Sequence, residues 1–302
     1  MCRCLSAALA VVVTLGLSDP DLARACEHPH KDTIKSTGDY VDELLKTALA
    51  RTEGPDAAEI RAGDPIPVTR NRLLIELIEG RHIEYATVPA KPEWEKNLIT
   101  VRIPLRKGLQ GYRLFFVTEE NKDLLTDVSS LADLKKITTG AAEQWLTTDL
   151  LETAGFTVVK GSDKDGLFEM LRVNRFETFG RGIDEIFVEH AQRKSSIPNL
   201  AIDQHIAVYL PYPTYVFVTP KRPDLAKRFE TGLRMMIDDG SFDEIFWRYF
   251  EDDIARANLA GRKIFKVDRH ADGLGIPLDD PRLWLDPNDL KNPGCRTNKV
   301  LD

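Results

Sequence analysis

Cysteine is scarce in this chain, four residues in 302, which rules out a disulfide-dense scaffold. The motifs of common catalytic machineries are missing as well. There is no P-loop, GxSxG elbow, HExxH helix or CxxC pair, so the patterns that hold a nucleotide phosphate, an activated serine, a catalytic zinc or a redox dithiol are not present. Positive charge is in the minority, with 41 Lys and Arg against 48 Asp and Glu, a net charge of −7 and no basic stripe. Nucleic acid is thereby excluded as a partner, because phosphate contacts need clustered Lys and Arg. Beyond residue 25 no apolar run is long enough to cross a bilayer. The six histidines are scattered, and neither a metal site nor a cofactor is implied.

The first 25 residues have the pattern of a cleavable export signal. Arg3 gives a positive start, LSAALAVVVTLGL (5–17) is the apolar run, and ARA precedes Cys26 with small residues where a signal peptidase reads. A periplasmic location follows. Lipid anchoring through Cys26 is the alternative, and Ala23 and Arg24 fit its recognition sequence poorly. After cleavage Cys26 and Cys295 remain as the single pair, able to bridge in an oxidising compartment or to stay as free thiols on the chain ends. The new terminus, Cys26-Glu27-His28, has the order that binds Cu(II) or Ni(II) in a square plane, but a disordered chain end is the preferred account of His28 and His30.

Hydrophobic spacing predicts a helix from Asp39 carrying Tyr40, Val41, Leu44, Leu45, Ala48 and Leu49 on one stripe, and another with Leu73, Leu74, Leu77 and Ile78 that stops at Gly80. IEYATV (83–88) and YRLFFVT (112–118) read as strands. Strands at 137–140, 156–159 and 176–179 then alternate with helices over about 142–153, DGLFEML and IDEIFVEHAQR, and LPYPTYVFVTP returns as a strand. Short strand-helix alternation, met twice, predicts two parallel-sheet α/β units. Near the end, Pro223 opens a helix that buries Leu225, Phe229, Leu233, Met236 and Ile237, and Gly240 stops it. Ser241 and Glu244 read as the capping box of a second helix, which buries Ile245, Phe246, Tyr249 and Phe250.

PDLAKRFETGLRMMIDDGSFDEIFWRYF (223–250) resembles the closing segment of type 2 periplasmic solute-binding proteins of the amino-acid type, with its Pro-acidic-Leu helix, Asp-Gly turn and aromatic-rich helix. SLADLKKITTGAAEQW resembles the start of their second lobe, and GFTVVKGSDKDGLFEML with NRFETF resembles the stretch leading to the interlobe cleft. The resemblance covers 112–250 well, is weaker over 39–111 and is absent in the tail. It implies a two-lobed, mostly parallel α/β fold with a hinge. Lobe 1 takes 26–117 with part of 205–260, lobe 2 takes 118–204, and 261–302 wraps the surface.

The family's ligand would lie between the lobes, which places GAAEQW (140–145) at the cleft, with Gly140 allowing close backbone approach and Gln144 or Trp145 offering a side chain. Gly140 is equally read as an ordinary strand-to-helix turn. Two departures stand out. Trp94 occupies the neighbourhood of the Arg that grips the ligand carboxylate in such binders, and Arg181 and Gly182 stand where an acidic residue pairs the ligand amine. These features resemble a less characterised branch without an assigned ligand, in which an Arg-Phe-acidic strand, an Arg-Gly turn and a Glu (here Glu185) follow RIPLRKGLQGYRLF. Arg181 faces the cleft on this reading, or is a surface residue neutralised by Asp184 or Glu185. Arg102 either reaches ligand or points outward from its strand; Trp94 stacks on ligand or covers the lobe; Tyr212 lines the hinge or packs beneath it.

The implied activity is capture of a small anionic or zwitterionic solute by a monomer and its delivery to a membrane transporter permease. The same fold serves as a sensory input to a membrane receptor, and less readily as an enzyme with Glu185 or Glu143 as base. On the cleft reading, Arg181→Ala abolishes capture of an anion and leaves folding intact.

Overall fold

The computed structural model of the chain describes residues 36–54, 60–62, 69–267 and 276–285. The expected export leader at 1–25, Cys26, Cys295 and the His28 terminus lie outside the described residues.

Ser36 starts the first helix, α1 (Thr37–Ala50). Its hydroxyl accepts from the Asp39 N–H while the Asp39 carboxylate accepts from the Ser36 N–H, a reciprocal cap. The predicted stripe is buried on it at Tyr40, Leu44, Leu45, Ala48 and Leu49. Helix α2 (Arg70–Glu79) is capped by Thr69 and ends at Gly80, whose φ of +59° suits the left-handed stop that glycine takes without steric cost. Then follow β1 (Tyr85–Pro89), α3 (Pro92–Asn97), β2 (Ile99–Val101) and β3 (Tyr112–Thr118). The middle of the chain holds α4 (Leu131–Leu134), β4 (Thr139–Ala142), α5 (Leu146–Thr153), β5 (Val158–Gly161), α6 (Lys164–Arg172), β6 (Thr178–Gly182) and α7 (Ile183–Arg193). It closes with β7 (Leu200–Ile202), β8 (Ile206–Tyr209), β9 (Thr214–Val218), α8 (Pro223–Asp238), α9 (Ser241–Ala257) and β10 (Lys263–Lys266).

These strands form two sheets. The small one has the order β1-β9-β2, with β9 antiparallel to both neighbours. The large one runs β10-β8-β3-β6-β4-β5, and β7 pairs β3 beside β8. Parallel pairing joins β4 to β5 and to β6, where α5 and α6 supply the crossovers it requires, and β10 to β8. Against this set β3 is antiparallel to β6, β7 and β8.

All seven residues of β3 are buried, and its pairings are with the large sheet. So are those of β8 and β10. Strand 112–118 therefore sits with the middle segment rather than with β1 and β2, and 263–266 is a sheet strand rather than surface wrapping. The tail is also anchored further on: Leu283 and Leu285 join the main core, and the Trp284 indole N–H donates to the Pro277 carbonyl at 2.8 Å.

Two short segments carry the chain between the sheets, 102–111 from β2 to β3 and 210–213 from β8 to β9, and a third, longer passage from β9 to β10 runs through α8 and α9. The main apolar cluster extends from Tyr40, Phe229 and Phe246 on α1, α8 and α9 to Phe116, Phe168 and Phe179 of the large sheet and α6. A second cluster covers the other face of the large sheet around Phe115, Leu125 and Val208. A third, around Leu77, Trp94 and Phe217, belongs to the small sheet.

The closing helix pair forms as the spacing predicts, with one correction at its turn. Gly240, at φ +83°, occupies the N-cap of α9 and Ser241 is the first helical residue. The capping acceptor is instead Asp239, whose Oδ1 receives the Ser241 N–H at 3.0 Å and the Ser241 hydroxyl at 2.7 Å. The serine oxygen itself accepts from Arg51 Nη2 at 2.8 Å.

Candidate functional site

Where the two crossing segments meet the start of α7, charged side chains collect in the interior. Arg106 and Gln110 come from the first crossing, Arg113 from the start of β3, Tyr212 and Thr214 from the second crossing and the start of β9, and Arg181 from β6. Asp184, Glu185 and Glu189 come from α7. Arg106 pairs with Asp184 through one guanidinium nitrogen and donates to Thr214 Oγ1 through the other at 2.8 Å. Gln110 Nε2 donates to the Tyr212 carbonyl at 2.9 Å. The Tyr212 hydroxyl donates to the Gln110 carbonyl at 3.3 Å and accepts from Arg113 Nη1 at 3.4 Å. Arg113 also donates to the Gly180 carbonyl at 2.6 Å and lies 3.5 Å from Glu185.

Arg181 is clamped. Its Nε and Nη2 both donate to Glu189 at 2.7 Å, and Nη2 lies 2.9 Å from Glu185. The fork-to-fork geometry is the strong form of a guanidinium-carboxylate pair. Trp145 covers its other side, with the guanidinium carbon 4.8 Å from the ring centroid. Lys164 reaches Glu189 from the rim at 3.1 Å. Three guanidinium groups thus face three carboxylates, Asp184 and Glu189 buried and Glu185 half-buried, and these six groups are balanced in charge.

Burial and neighbouring charges shift these groups in opposite directions. Burial pushes the Glu185 carboxyl up, but Arg181, Arg113, the Gly182 N–H and Arg106 together outweigh it and hold the group at about 2. Asp184 lies above the ordinary carboxylate value, because its burial exceeds the attraction of Arg106. Burial disfavours the charge on Arg181, yet Glu185 and Glu189 raise its pKa above the usual guanidinium value. Burial likewise raises Tyr212. The stabilisation tied to Glu185 is therefore present above its unfolded value near 4.5 and is lost as the pH falls toward about 2.

Several buried polar atoms of the cluster have no partner among the described residues: Asp184 Oδ1, Arg106 Nε and Gln110 Oε1. Thr139 Oγ1 is in the same position. Atoms of this kind are ordinarily satisfied by water or ligand. A cavity of about 10 Å³ adjoins the cluster, bounded by Arg113, Thr139, Gly140, Trp145, Thr147 and Gly180. That is room for one water at most, so a solute needs the surrounding elements to part.

Of the residues singled out in the sequence, the structure brings Arg181, Glu185, Tyr212, Trp145 and Gly140 to this region and places three elsewhere. Trp94 is buried in the small-sheet core against Phe217, ring centroids 5.4 Å apart. Arg102 is exposed and donates to Glu95 at 2.5 Å. Gln144 is exposed and donates to the Ser162 carbonyl at 3.3 Å. Gly140 lies inside β4 rather than at a strand-to-helix turn, since α5 begins only at Leu146. Its lack of a side chain makes room for Phe176, whose ring carbon would stand 2.3 Å from an added Cβ. Arg181 is neutralised chiefly by Glu189, two turns along α7, with Glu185 as second partner. Sequence reading passed over Arg106, Gln110, Arg113 and Glu189, and offered Asp184 only as a counter-charge for Arg181, whereas it pairs with Arg106. One signal for them was present: Arg113 interrupts the otherwise apolar strand YRLFFVT, and a charge in a buried strand needs a partner.

Asp253 on α9 borders this cluster. Burial raises its carboxyl to about 6, with Asp184 adding to the shift and Arg256 opposing it. An acid whose pKa is higher folded than unfolded loses stability as pH rises from about 4 to about 6. Asp253→Asn is therefore expected to be more stable than the parent by about 1–3 kcal/mol at pH 8 and equal to it at pH 4. Urea unfolding of both proteins at the two pH values measures the difference.

No protein-family model matches the chain, and no curated protein matches it in sequence. Among solved structures it is similar to the binding component of an ABC transporter from Wolinella succinogenes, complexed with lysine, at a TM-score of 0.51 and 16% identity over 70% of this chain and 84% of that one. An ancestral arginine-binding protein bound to glutamine gives a TM-score of 0.48 and 18% identity over 69% and 86% of the two chains. A periplasmic His/Glu/Gln/Arg/opine family-binding protein from Silicibacter pomeroyi, in complex with lysine, gives 0.47 and 15% over 70% and 85%. The first of these likenesses shows the fold: the chain has the two-lobed α/β fold of the type 2 periplasmic solute-binding proteins.

Proposed function

We propose that the protein binds a small polar solute at the junction of its two sheets and delivers it to an ABC-type membrane transporter. The observation that carries this reading is the balanced charge cluster around Arg113, Arg181 and Glu185, set where the two crossing segments would bend and holding buried polar atoms without partners. Parting of the sheets would expose paired guanidinium and carboxylate groups, and a solute that satisfied both would favour the re-closed state. A solute bearing one charge would leave an opposite group unpaired in the interior, which is costly. A zwitterion keeps the balance, so an amino-acid-like solute fits better than a simple anion.

The lysine-bound Wolinella succinogenes structure is consistent with this class. Export to the periplasm by the leader at 1–25, monomeric action and a permease partner belong to the same reading. No helix among the described residues is long and apolar enough to cross a membrane. An enzymatic role has less support, because a carboxylate held at about 2, as Glu185 is, makes a weak general base, and Glu143 is exposed in the turn after β4.

Thermal shift and calorimetry on the mature protein, with a panel of amino acids, other zwitterions and simple carboxylates, test the proposal. A cognate solute at about a hundred times its Kd is expected to stabilise by roughly 2.7 kcal/mol. A panel without any binder would overturn the reading, and a simple anion that outbinds every zwitterion would overturn its charge argument.

A further inference from the structure

Helix α7 has two working faces. Glu185 and Glu189 turn toward the charge cluster. Phe187, His190 and then Lys194 follow one another at three and four residues, on the opposite side of the helix. That second face borders an open groove of about 370 Å³, closed on its other sides by β7, Pro198 and Arg256 from the end of α9. The volume lies within the range of small-molecule sites, roughly 300–1,000 Å³, whereas the cavity at the charge cluster is about 10 Å³.

The groove is amphipathic. Phe187 and Leu200 are buried beneath it, and Ile202 is half-buried at its side. Lys194 is exposed on its rim and makes no salt bridge among the described residues. The Arg256 guanidinium lies 4.2 Å from the Phe187 ring centroid and only loosely meets Asp253, at 3.8 Å. Glu119 is the one carboxylate on the lining, so two permanent cations, Lys194 and Arg256, oppose it. On a chain of net charge −7, a cationic rim over an apolar floor is a local reversal that favours an anion.

The neighbouring strand is poorly suited to pairing with an added peptide strand. The Leu200 carbonyl lies 3.0 Å from His190 Nε2, and the Ile202 carbonyl accepts from Gln204 Nε2 at 2.8 Å. Side chains thus occupy acceptors that a docking strand would use. A compact molecule with a flat apolar body and a negative head uses what remains: the body lies on Phe187, Leu200 and Ile202, and the head meets Lys194 and Arg256.

We infer that the groove between α7, β7 and the end of α9 is a second ligand site, separate from the charge cluster, for a small organic anion with an aromatic or apolar body. The site does not depend on what the cluster binds.

Titration of the full mature protein with 2-naphthoate and with its uncharged analogue 2-naphthamide, followed by calorimetry, tests this. Naphthoate is expected to bind at least about fivefold more tightly than the amide, because two exposed cations contribute roughly that much. The double variant Lys194→Gln, Arg256→Gln is expected to lose that advantage, with the amide unaffected, and Ile202→Asp to weaken both compounds. Near-UV circular dichroism of each variant separates lost binding from lost fold. The inference is overturned by equal binding of the two compounds, by an unchanged naphthoate affinity in the double variant, or by no saturable binding of naphthoate up to about 10 mM, a concentration well above the millimolar Kd of a 4 kcal/mol interaction.

Discussion

Replacing Arg181 by Met is expected to destabilise the protein by about 3–5 kcal/mol, the usual cost of stripping one partner from a buried ion pair. Arg181 is 6% exposed and gives two donors to Glu189 and one to Glu185. Removing it leaves both carboxylates without their main counter-charge, and methionine, similar in length and apolar, cannot supply a donor. The double variant Arg181→Met, Glu189→Leu is expected to recover much of the loss, since it removes both ends of the forked pair instead of stranding one. Urea denaturation of the parent and the two variants measures both steps. A single variant within 1 kcal/mol of the parent would mean that water reaches Glu189 and that the pair is a surface contact. This outcome differs from what the sequence suggested for Arg181, a cleft arginine needed for capture but not for folding, because its partner lies eight residues on and turns back over β6.

Gly232→Val is expected to cost about 3 kcal/mol, at the upper end of ordinary overpacking. Gly232 lies in the middle of α8, where α1 crosses it, and an added Cβ would stand 2.0 Å from the Ala48 carbonyl oxygen and 2.6 Å from its carbon. Those atoms are main chain, so a rotamer change cannot relieve the contact and the two helices must separate. Phe229 and Leu233 of α8 share the main core with Leu44 and Leu45 of α1. Gly166 in α6 supplies the control: its added Cβ would come no closer than 3.4 Å to Asp163 Oδ1, so Gly166→Ala is expected to be neutral or stabilising by up to about 1 kcal/mol. Thermal unfolding of the three proteins resolves these values, and equal stability of Gly232→Val and the parent would show that the two helices separate at this crossing without cost.

The helices were legible because each writes its burial into a local period. The stripes on α1 and α8 and the Gly80 and Gly240 stops follow from 3.6 residues per turn and from the φ that glycine alone takes freely. Strand β3 was legible to the residue for a similar reason, an apolar run bounded by Gly111 and the charged 119–120. Boundaries after β4 were less clear. TTGAAEQW carries no period that separates strand from helix, and the strand runs on through Ala142, so Gly140 falls inside it. Strands β7, β8 and β10, of three or four residues each, are too short to announce themselves.

What the amino-acid sequence determined unaided was the longer helices, strand β3, the α/β class and the closing helix pair, all of which depend on neighbours within a few residues. The tertiary structure alone decided which charged residues became interior. Arg102 follows the last residue of β2 and Arg181 lies near the end of β6, yet the first ends exposed beside Glu95 and the second buried against Glu189. Local pattern assigns a side chain to one of two strand faces but says nothing of what covers that face. Arg106 and Asp184, 78 residues apart, meet only because β3 pairs β6 and so brings the first crossing beside the start of α7.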